Sequence, residues 1–300
     1  RVWKDVVRDF EEGRLQKIYR GHCSLAAAVE VQQFLLNGPV ARVLGSLQAH
    51  RGCKFNCYFC AGNALAGNVC IQKPLDDFLA LIRKVRAGRR YMAFLDNNIY
   101  ADPEYARKLF RALKPMNMRW GADTSIDIAE DETTLRLLKE SGCAGVLVGY
   151  EIRPGSSERK TGKFVFAKDY FMLTQRIKNA GIQIKGQFIF GFPEDSWVDL
   201  FRLWWFCFRI FPSATGLSFL TPLPGSAFFS DIVRREKLIN LNWCAFDIFH
   251  QVWEHPKLGV SWLMRKSFFL ISAFFLLTTS FVGCLALGCV GLIQFFYYHP

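Results

Sequence analysis

The sequence lacks the patterns of the common cysteine-rich and nucleic-acid-binding classes. Its ten cysteines form no second CxxC pair and no disulfide framework, which argues against a closed zinc site and a disulfide scaffold. No signal peptide stands at its start, so we expect a reducing, cytoplasmic compartment. Its 38 basic and 26 acidic residues give a net charge of +12, which favours partners bearing phosphate or anionic lipid. The basic residues form no stripe, and we expect no nucleic-acid partner.

Short apolar runs alternate with helical patterns through most of the chain. Glycines at 88, 142 and 181 follow three of the predicted helices, as helix-stop signals do. Six predicted strands lie at residues 43–49, 91–95, 119–124, 145–150, 183–190 and 216–220. Right-handed βα crossovers curl a parallel sheet into a barrel, and six units are enough for a partial one. The predicted fold is therefore α/β, a partial (β/α)6 barrel over residues 43–225.

Three segments flank the predicted barrel. Residues 1–42 are predicted to be a helical lead-in or linker, and residues 226–266 a C-terminal extension. Residues 267–298 contain no charged residue over 32 positions, which exceeds the ~20 apolar residues that span a bilayer. We predict a hydrophobic tail helix associated with the cytoplasmic face of the membrane. A spanning helix, a half-inserted anchor and a buried hairpin are the alternatives for this tail.

A cysteine triad directly after the first predicted strand carries the strongest functional signal. Cys53, Cys57 and Cys60 have the spacing CxxxCxxC, which chance would produce only ~0.01 times in a chain of this composition. Three thiolates on one loop can ligate three irons of a 4Fe-4S cluster and leave the fourth iron open. An open iron can chelate a methionine moiety and place its sulfonium beside the cluster. Zinc is the main alternative, with Cys70 as the candidate fourth ligand.

With this motif the sequence resembles the radical S-adenosylmethionine superfamily, in which CxxxCxφC follows the first strand of a partial barrel and φ is aromatic. The resemblance implies S-adenosylmethionine as a cofactor, with Phe59, at φ, near the nucleoside. It also implies that polar residues at the strand ends bind this cofactor. They are Asp96 and Asn97 after the second strand, Ser125 after the third and Glu151 after the fourth. An ordinary cap or turn is the alternative for each.

Further short sequence segments resemble one group within this superfamily, the cobalamin-dependent class B radical enzymes, which include hopanoid methylases. These segments lie at residues 94–99, 188–191 and 220–225. Such enzymes carry a cobalamin domain with an Asp-x-His-x-x-Gly loop, and none of the five histidines lies in that pattern. We therefore expect the cobalamin domain to be absent from this chain. It would lie upstream or on a separate partner, or the protein works without it.

The resemblance implies an enzyme that uses a 4Fe-4S cluster to form a 5′-deoxyadenosyl radical and to modify, or methylate, an unactivated carbon. It implies an electron donor such as ferredoxin or flavodoxin. The hydrophobic tail favours a lipid, isoprenoid or hopanoid substrate, with another small molecule as the alternative. Two other functions stay open, a non-catalytic iron-sulfur redox or electron-transfer protein at the membrane and a degenerate member that serves as a membrane scaffold.

Overall fold

A computed structural model describes residues 2–16, 19, 44–62, 70–86, 88–89, 91–151, 169–210 and 212–259. The predicted tail at 267–298 lies outside these residues, as does most of the predicted lead-in. None of the helices in the described ranges has both the length and the apolar composition needed to cross a bilayer. The tail helix and its membrane association therefore stay predictions.

Eight strands occur in the part of the chain that the structure describes, and they form one large sheet and one small ribbon. They are β1 (Leu44–Leu47), β2 (His50–Arg51), β3 (Ile71–Gln72), β4 (Tyr91–Phe94), β5 (Arg119–Thr124), β6 (Cys143–Glu151), β7 (Gln183–Phe190) and β8 (Ala214–Phe219). All six strands of the large sheet run parallel in the order β1-β4-β5-β6-β7-β8, while β2 and β3 pair antiparallel. β1 and β8 are the two edges, so the sheet stays open. The prediction of six parallel strands in βα units is confirmed.

Seven α-helices occur in the described ranges. They are α1 (Val2–Glu11), α2 (Leu75–Arg86), α3 (Pro103–Leu113), α4 (Glu132–Glu140), α5 (Tyr170–Asn179), α6 (Trp197–Ile210) and α7 (Ala227–Arg234). The crossover helices bury one apolar face on the sheet. In α2 that face consists of Phe78, Leu79, Ile82 and Val85, at helical spacing. Complete burial of such a side chain stabilises the fold by roughly 1.5–3 kcal/mol.

Local capping signals fix where these helices begin and end. Asp102 caps α3, because its carboxylate accepts hydrogen bonds from the backbone N–H groups of Glu104 and Tyr105. Gly142 follows α4 with φ of +91°, and a Cβ there would lie 2.0 Å from the carbonyl oxygen of Met118. Only glycine fits this position.

The C-terminal extension packs on the cysteine loop and is not a separate body. Phe228 of α7 donates its N–H to the carbonyl oxygen of Tyr58 at 3.0 Å, and its ring contacts the Tyr58 ring. The Tyr58 hydroxyl donates to Asp231 at 2.8 Å. Trp253 is buried and packs edge-on against Phe228. A second small core therefore packs against Tyr58 and Phe59 of the loop.

Candidate functional site

The cysteine loop lies at the carboxyl end of the parallel strands, where barrel enzymes place their working groups. The N–H of Cys60 donates to the carbonyl oxygen of Cys57 at 3.0 Å, which closes a tight turn. All three thiols of the triad are partly exposed, and none of them is in a disulfide. In the ranges that the structure describes, no group of three or more His, Cys, Asp or Glu side chains is arranged to hold a metal ion.

The donors around the triad fit a thiolate-ligated cluster. The side-chain amide of Asn98 donates to Cys53 Sγ at 3.7 Å, and the N–H of Gly62 donates to Cys60 Sγ at 3.3 Å. A Cβ on Gly62 would lie 3.3 Å from that same sulfur, so a larger residue would crowd it. Hydrogen bonds to ligand sulfurs are a known determinant of cluster potential.

Cys70 is the candidate fourth ligand of the zinc alternative. Burial raises the pKa of its thiol to about 11, with smaller contributions from Asp102 and Cys53. Among the described residues, Cys70 forms no metal-holding group with the thiols of the triad.

Asp96 holds the chain that leads into the cysteine loop. The residue is buried, and its two carboxylate oxygens accept the backbone N–H groups of Ala49 at 3.3 Å and His50 at 2.6 Å. Burial raises the pKa of this carboxyl, while His50, the backbone amides and Lys73 act in the opposite direction. Both carboxylate oxygens of Asp96, which the sequence resemblance predicted to bind S-adenosylmethionine, are therefore engaged by backbone N–H groups.

His50 links Asp96 to the end of the next strand. Its Nε2 donates to the carbonyl oxygen of Asn98 at 2.6 Å, and a carbonyl oxygen can only accept, so Nε2 carries hydrogen. Its Nδ1 lies 3.0 Å from Asp96 Oδ1, close but not aligned as a hydrogen bond. The imidazole therefore ties β2 to the loop after β4.

A chain of polar contacts runs behind Cys53. The Asn98 amide also donates to Ser125 Oγ at 3.0 Å, and Ser125 donates to Asp127. The other oxygen of Asp127 contacts Lys54 Nζ at 2.5 Å, and Lys54 follows Cys53 in the sequence. The chain of contacts thus closes into a ring. It engages the Ser125 hydroxyl that was predicted to bind the cofactor.

Three other predicted site residues take up different positions. Asn97 is exposed, and its side-chain oxygen accepts the N–H of Gly52 at 3.4 Å. Phe59 is half-buried and meets Phe192 edge-on at 6.1 Å between ring centroids. Glu151 ends β6 at a register irregularity with φ of +66°, an unusual backbone conformation that sets the direction of its side chain.

Sequence reasoning missed polar residues on the inner face of the sheet. Trp120, Ala122 and Thr124 are buried, so the alternate residue Asp123 faces the interior of the open barrel. The same alternation places Lys185 of β7 on that face. Asp123 is solvent-accessible from this interior, but the protein around its carboxyl desolvates it and raises its pKa to about 6, partly offset by Lys185. The sequence signal that could have identified Asp123 was a single carboxylate within a predicted strand of a parallel sheet.

The sequence profile of the Radical SAM superfamily matches residues 47–203, just over half of the chain. The chain belongs to this superfamily. Membership implies a 4Fe-4S cluster and S-adenosylmethionine as cofactors, and the resemblance drawn from the triad is confirmed.

Relatives and solved structures agree with this placement. Bacteriochlorophyllide d C-12(1)-methyltransferase of Chlorobaculum tepidum is 25% identical over 276 residues, covering 88% of this chain and 60% of that protein. Hopanoid C-2 methylase of Rhodopseudomonas palustris is 26% identical over 168 residues, covering 51% of this chain and 31% of that protein. Radical S-adenosylmethionine methyltransferase TsrM of Kitasatospora setae, solved with cobalamin and a [4Fe-4S] cluster, aligns with TM-score 0.59 at 21% identity.

The TsrM alignment covers 64% of this chain and 37% of that one, and it shows the shared fold. The present chain thus spans about three-fifths or less of the length of these proteins. The resemblance to cobalamin-dependent radical methylases is confirmed.

Proposed function

We propose that this protein is a radical S-adenosylmethionine enzyme whose Cys53, Cys57 and Cys60 ligate a 4Fe-4S cluster. The observation that carries the proposal is the position of three thiols, none of them in a disulfide, on one loop at the carboxyl end of the strands, with N–H donors at two of the sulfurs. Such a cluster supplies the electron that cleaves S-adenosylmethionine to methionine and the 5′-deoxyadenosyl radical.

The residues of this chain would position the loop and bind the cofactor. Asp96 and His50 hold the chain before Cys53, while the Asn98 amide supports the sulfur of Cys53. Asn97 is exposed beside the loop, so among the predicted polar contacts it is the best placed to meet the methionine moiety. Phe59 offers a half-exposed ring for the nucleoside, and Glu151 a further polar contact from the end of β6.

We further propose that the reaction modifies an unactivated carbon, with methyl transfer as the leading outcome. The support is that the relatives named above are methyltransferases. Cobalamin would come from a domain or partner outside this chain. We propose a lipid or isoprenoid substrate met at the cytoplasmic face of the membrane, because residues 267–298 carry no charge. Ferredoxin or flavodoxin would supply the electron.

The test is anaerobic reconstitution with iron and sulfide, followed by incubation with S-adenosylmethionine and dithionite. We expect the visible absorbance of a 4Fe-4S cluster and formation of 5′-deoxyadenosine, measured by mass spectrometry. Cys57→Ala should lose both, while the matched controls Cys70→Ala and Cys244→Ala should keep both. A cluster without product would indicate a redox or electron-transfer protein. Loss of the cluster in Cys70→Ala would contradict the ligand assignment.

A further inference from the structure

Helix α6 is apolar on both of its faces. One face buries Leu200, Leu203, Cys207 and Ile210 in the core. On the other face Trp197, Phe201, Trp205 and Phe208 are 37%, 64%, 51% and 49% exposed. These four residues follow one another at intervals of three or four, so they lie along one side of the helix. We call them the aromatic stripe.

The exposed apolar surface extends beyond α6. Phe171 and Met172 of α5 are also exposed, and the guanidinium of Arg209 lies 5.7 Å from the centre of the Phe171 ring. That contact places α5 beside the stripe. Soluble proteins rarely leave a contiguous patch of large apolar side chains in water, and such patches mark interaction surfaces.

Two arginines, Arg202 and Arg209, are exposed on the same helix, and the exposed acidic residue Glu194 precedes it. The acidic residue of α6, Asp199, is mostly covered, and its carboxylate accepts from Ser196 and pairs with Arg202. Tryptophan and phenylalanine on one side with arginine beside them are typical of helices that lie in a bilayer interface. The net charge of +12 suits an anionic lipid surface.

The last described residues contact the turn that leads into α6. His255 donates to the carbonyl oxygen of Phe192 and Lys257 to that of Glu194, both at 2.7 Å. Phe192 and Glu194 lie in that turn. The uncharged sequence starts at residue 267, ten residues after Lys257, so the covalent chain allows at most ~35 Å between them.

We propose that the aromatic stripe docks the protein on an anionic lipid bilayer, with its rings in the interface and Arg202 and Arg209 at the lipid phosphates. Pairing of the stripe with a second copy of the chain is disfavoured, because it would bring the exposed arginines of both copies together. The proposal rests on the proposed function only in that a membrane-resident substrate explains why docking is useful. The docking itself requires no cluster.

The test uses the full chain with Phe201→p-benzoylphenylalanine, irradiated with vesicles of equal phosphatidylglycerol and phosphatidylcholine. We expect a covalent lipid adduct at position 201 by mass spectrometry. Vesicles of phosphatidylcholine alone should give a markedly lower yield. The matched control is Leu241→p-benzoylphenylalanine, since Leu241 is 76% exposed and lies outside the stripe. Adducts with residues 260–300 of the same chain, or with a second copy, would overturn the proposal.

A second measurement uses the double variant Phe201→Glu with Trp205→Glu. It should lower the affinity for phosphatidylglycerol vesicles about tenfold or more, because two apolar anchors are lost. Leu241→Glu should not, and circular dichroism checks that both variants fold. An unchanged affinity in the double variant would show that the stripe is not the docking surface. Formation of 5′-deoxyadenosine in detergent should persist in both variants, so a failure of docking and a failure of the proposed chemistry are distinguishable.

Discussion

Replacing Asp96 by Asn separates two roles for this residue, a brace for the cysteine loop and a direct contact to S-adenosylmethionine. In the structure both carboxylate oxygens accept backbone N–H groups, from Ala49 and His50, and the His50 ring lies 3.0 Å away. Asparagine keeps one accepting oxygen and replaces the other by an N–H₂ group. At least one buried N–H then faces another donor.

The size of the effect follows from these contacts. A buried N–H left without an acceptor costs about 1–3 kcal/mol. We expect Asp96→Asn to lower the free energy of unfolding by roughly that amount, ~1–3 kcal/mol, out of the ~5–15 kcal/mol typical of a domain. Asp131→Asn is the matched control. Asp131 caps α4, and asparagine caps a helix about as well as aspartate.

The assay is urea unfolding of the full chain without cofactors, followed by circular dichroism, together with equilibrium binding of S-adenosylmethionine. The brace predicts a large loss of stability in Asp96→Asn and a change of less than about 0.5 kcal/mol in Asp131→Asn. The reasoning would be refuted if Asp96→Asn kept its stability but bound S-adenosylmethionine tenfold more weakly. Asp96 would then be a cofactor contact.

Three more predictions concern the barrel and the loop. Gly142→Ala should destabilise the fold by more than about 3 kcal/mol in urea unfolding, whereas Gly88→Ala, with open space around its Cβ, should cost only ~1 kcal/mol. The pKa of Asp123 is raised from 3.8 to about 6. The free energy of unfolding of the wild type minus that of Asp123→Asn should therefore be largest below pH 3.8, and this difference should fall as the pH rises through about 6. Equal pH profiles would contradict this. Asn98→Leu removes the hydrogen bond to Cys53 Sγ, so the reconstituted cluster should have a more negative midpoint potential in a redox titration monitored by electron paramagnetic resonance; an unchanged potential would show that this contact has no influence.

The parallel strands could be predicted because each is buried on one or both faces and bounded by turn residues. The observed strand bounds differ from the predicted ones where tertiary contacts shorten or lengthen the pairing between neighbouring strands. β1 stops at Leu47, two residues before the predicted end, because the N–H of Ala49 turns to the Asp96 carboxylate. β6 begins two residues before its predicted start, since Cys143 pairs with Trp120 of the neighbouring strand.

The polar side chains at the strand ends could be located but not given roles. Asp96, Asn97 and Asn98 are consecutive, and sequence alone does not reveal which side chain turns to the backbone, which to solvent and which to Cys53. Of these three side chains, that of Asn98 donates to a sulfur of the triad, Cys53 Sγ. The contact between Tyr58 and Asp231 spans 173 positions. No local pattern signals such a pair.

The cysteine loop is held by elements distant in sequence. Asp96 and Asn98 contact the residues around Cys53, while α7 of the extension contacts Tyr58. The arrangement of the thiols therefore depends on the barrel and the extension folding together, before any cluster is assembled. It follows that the loss of a ligand and the loss of a brace have different signatures. A cysteine variant should unfold like the native chain without cofactors yet bind no cluster, whereas a brace variant such as Asp96→Asn should already be less stable before iron is added.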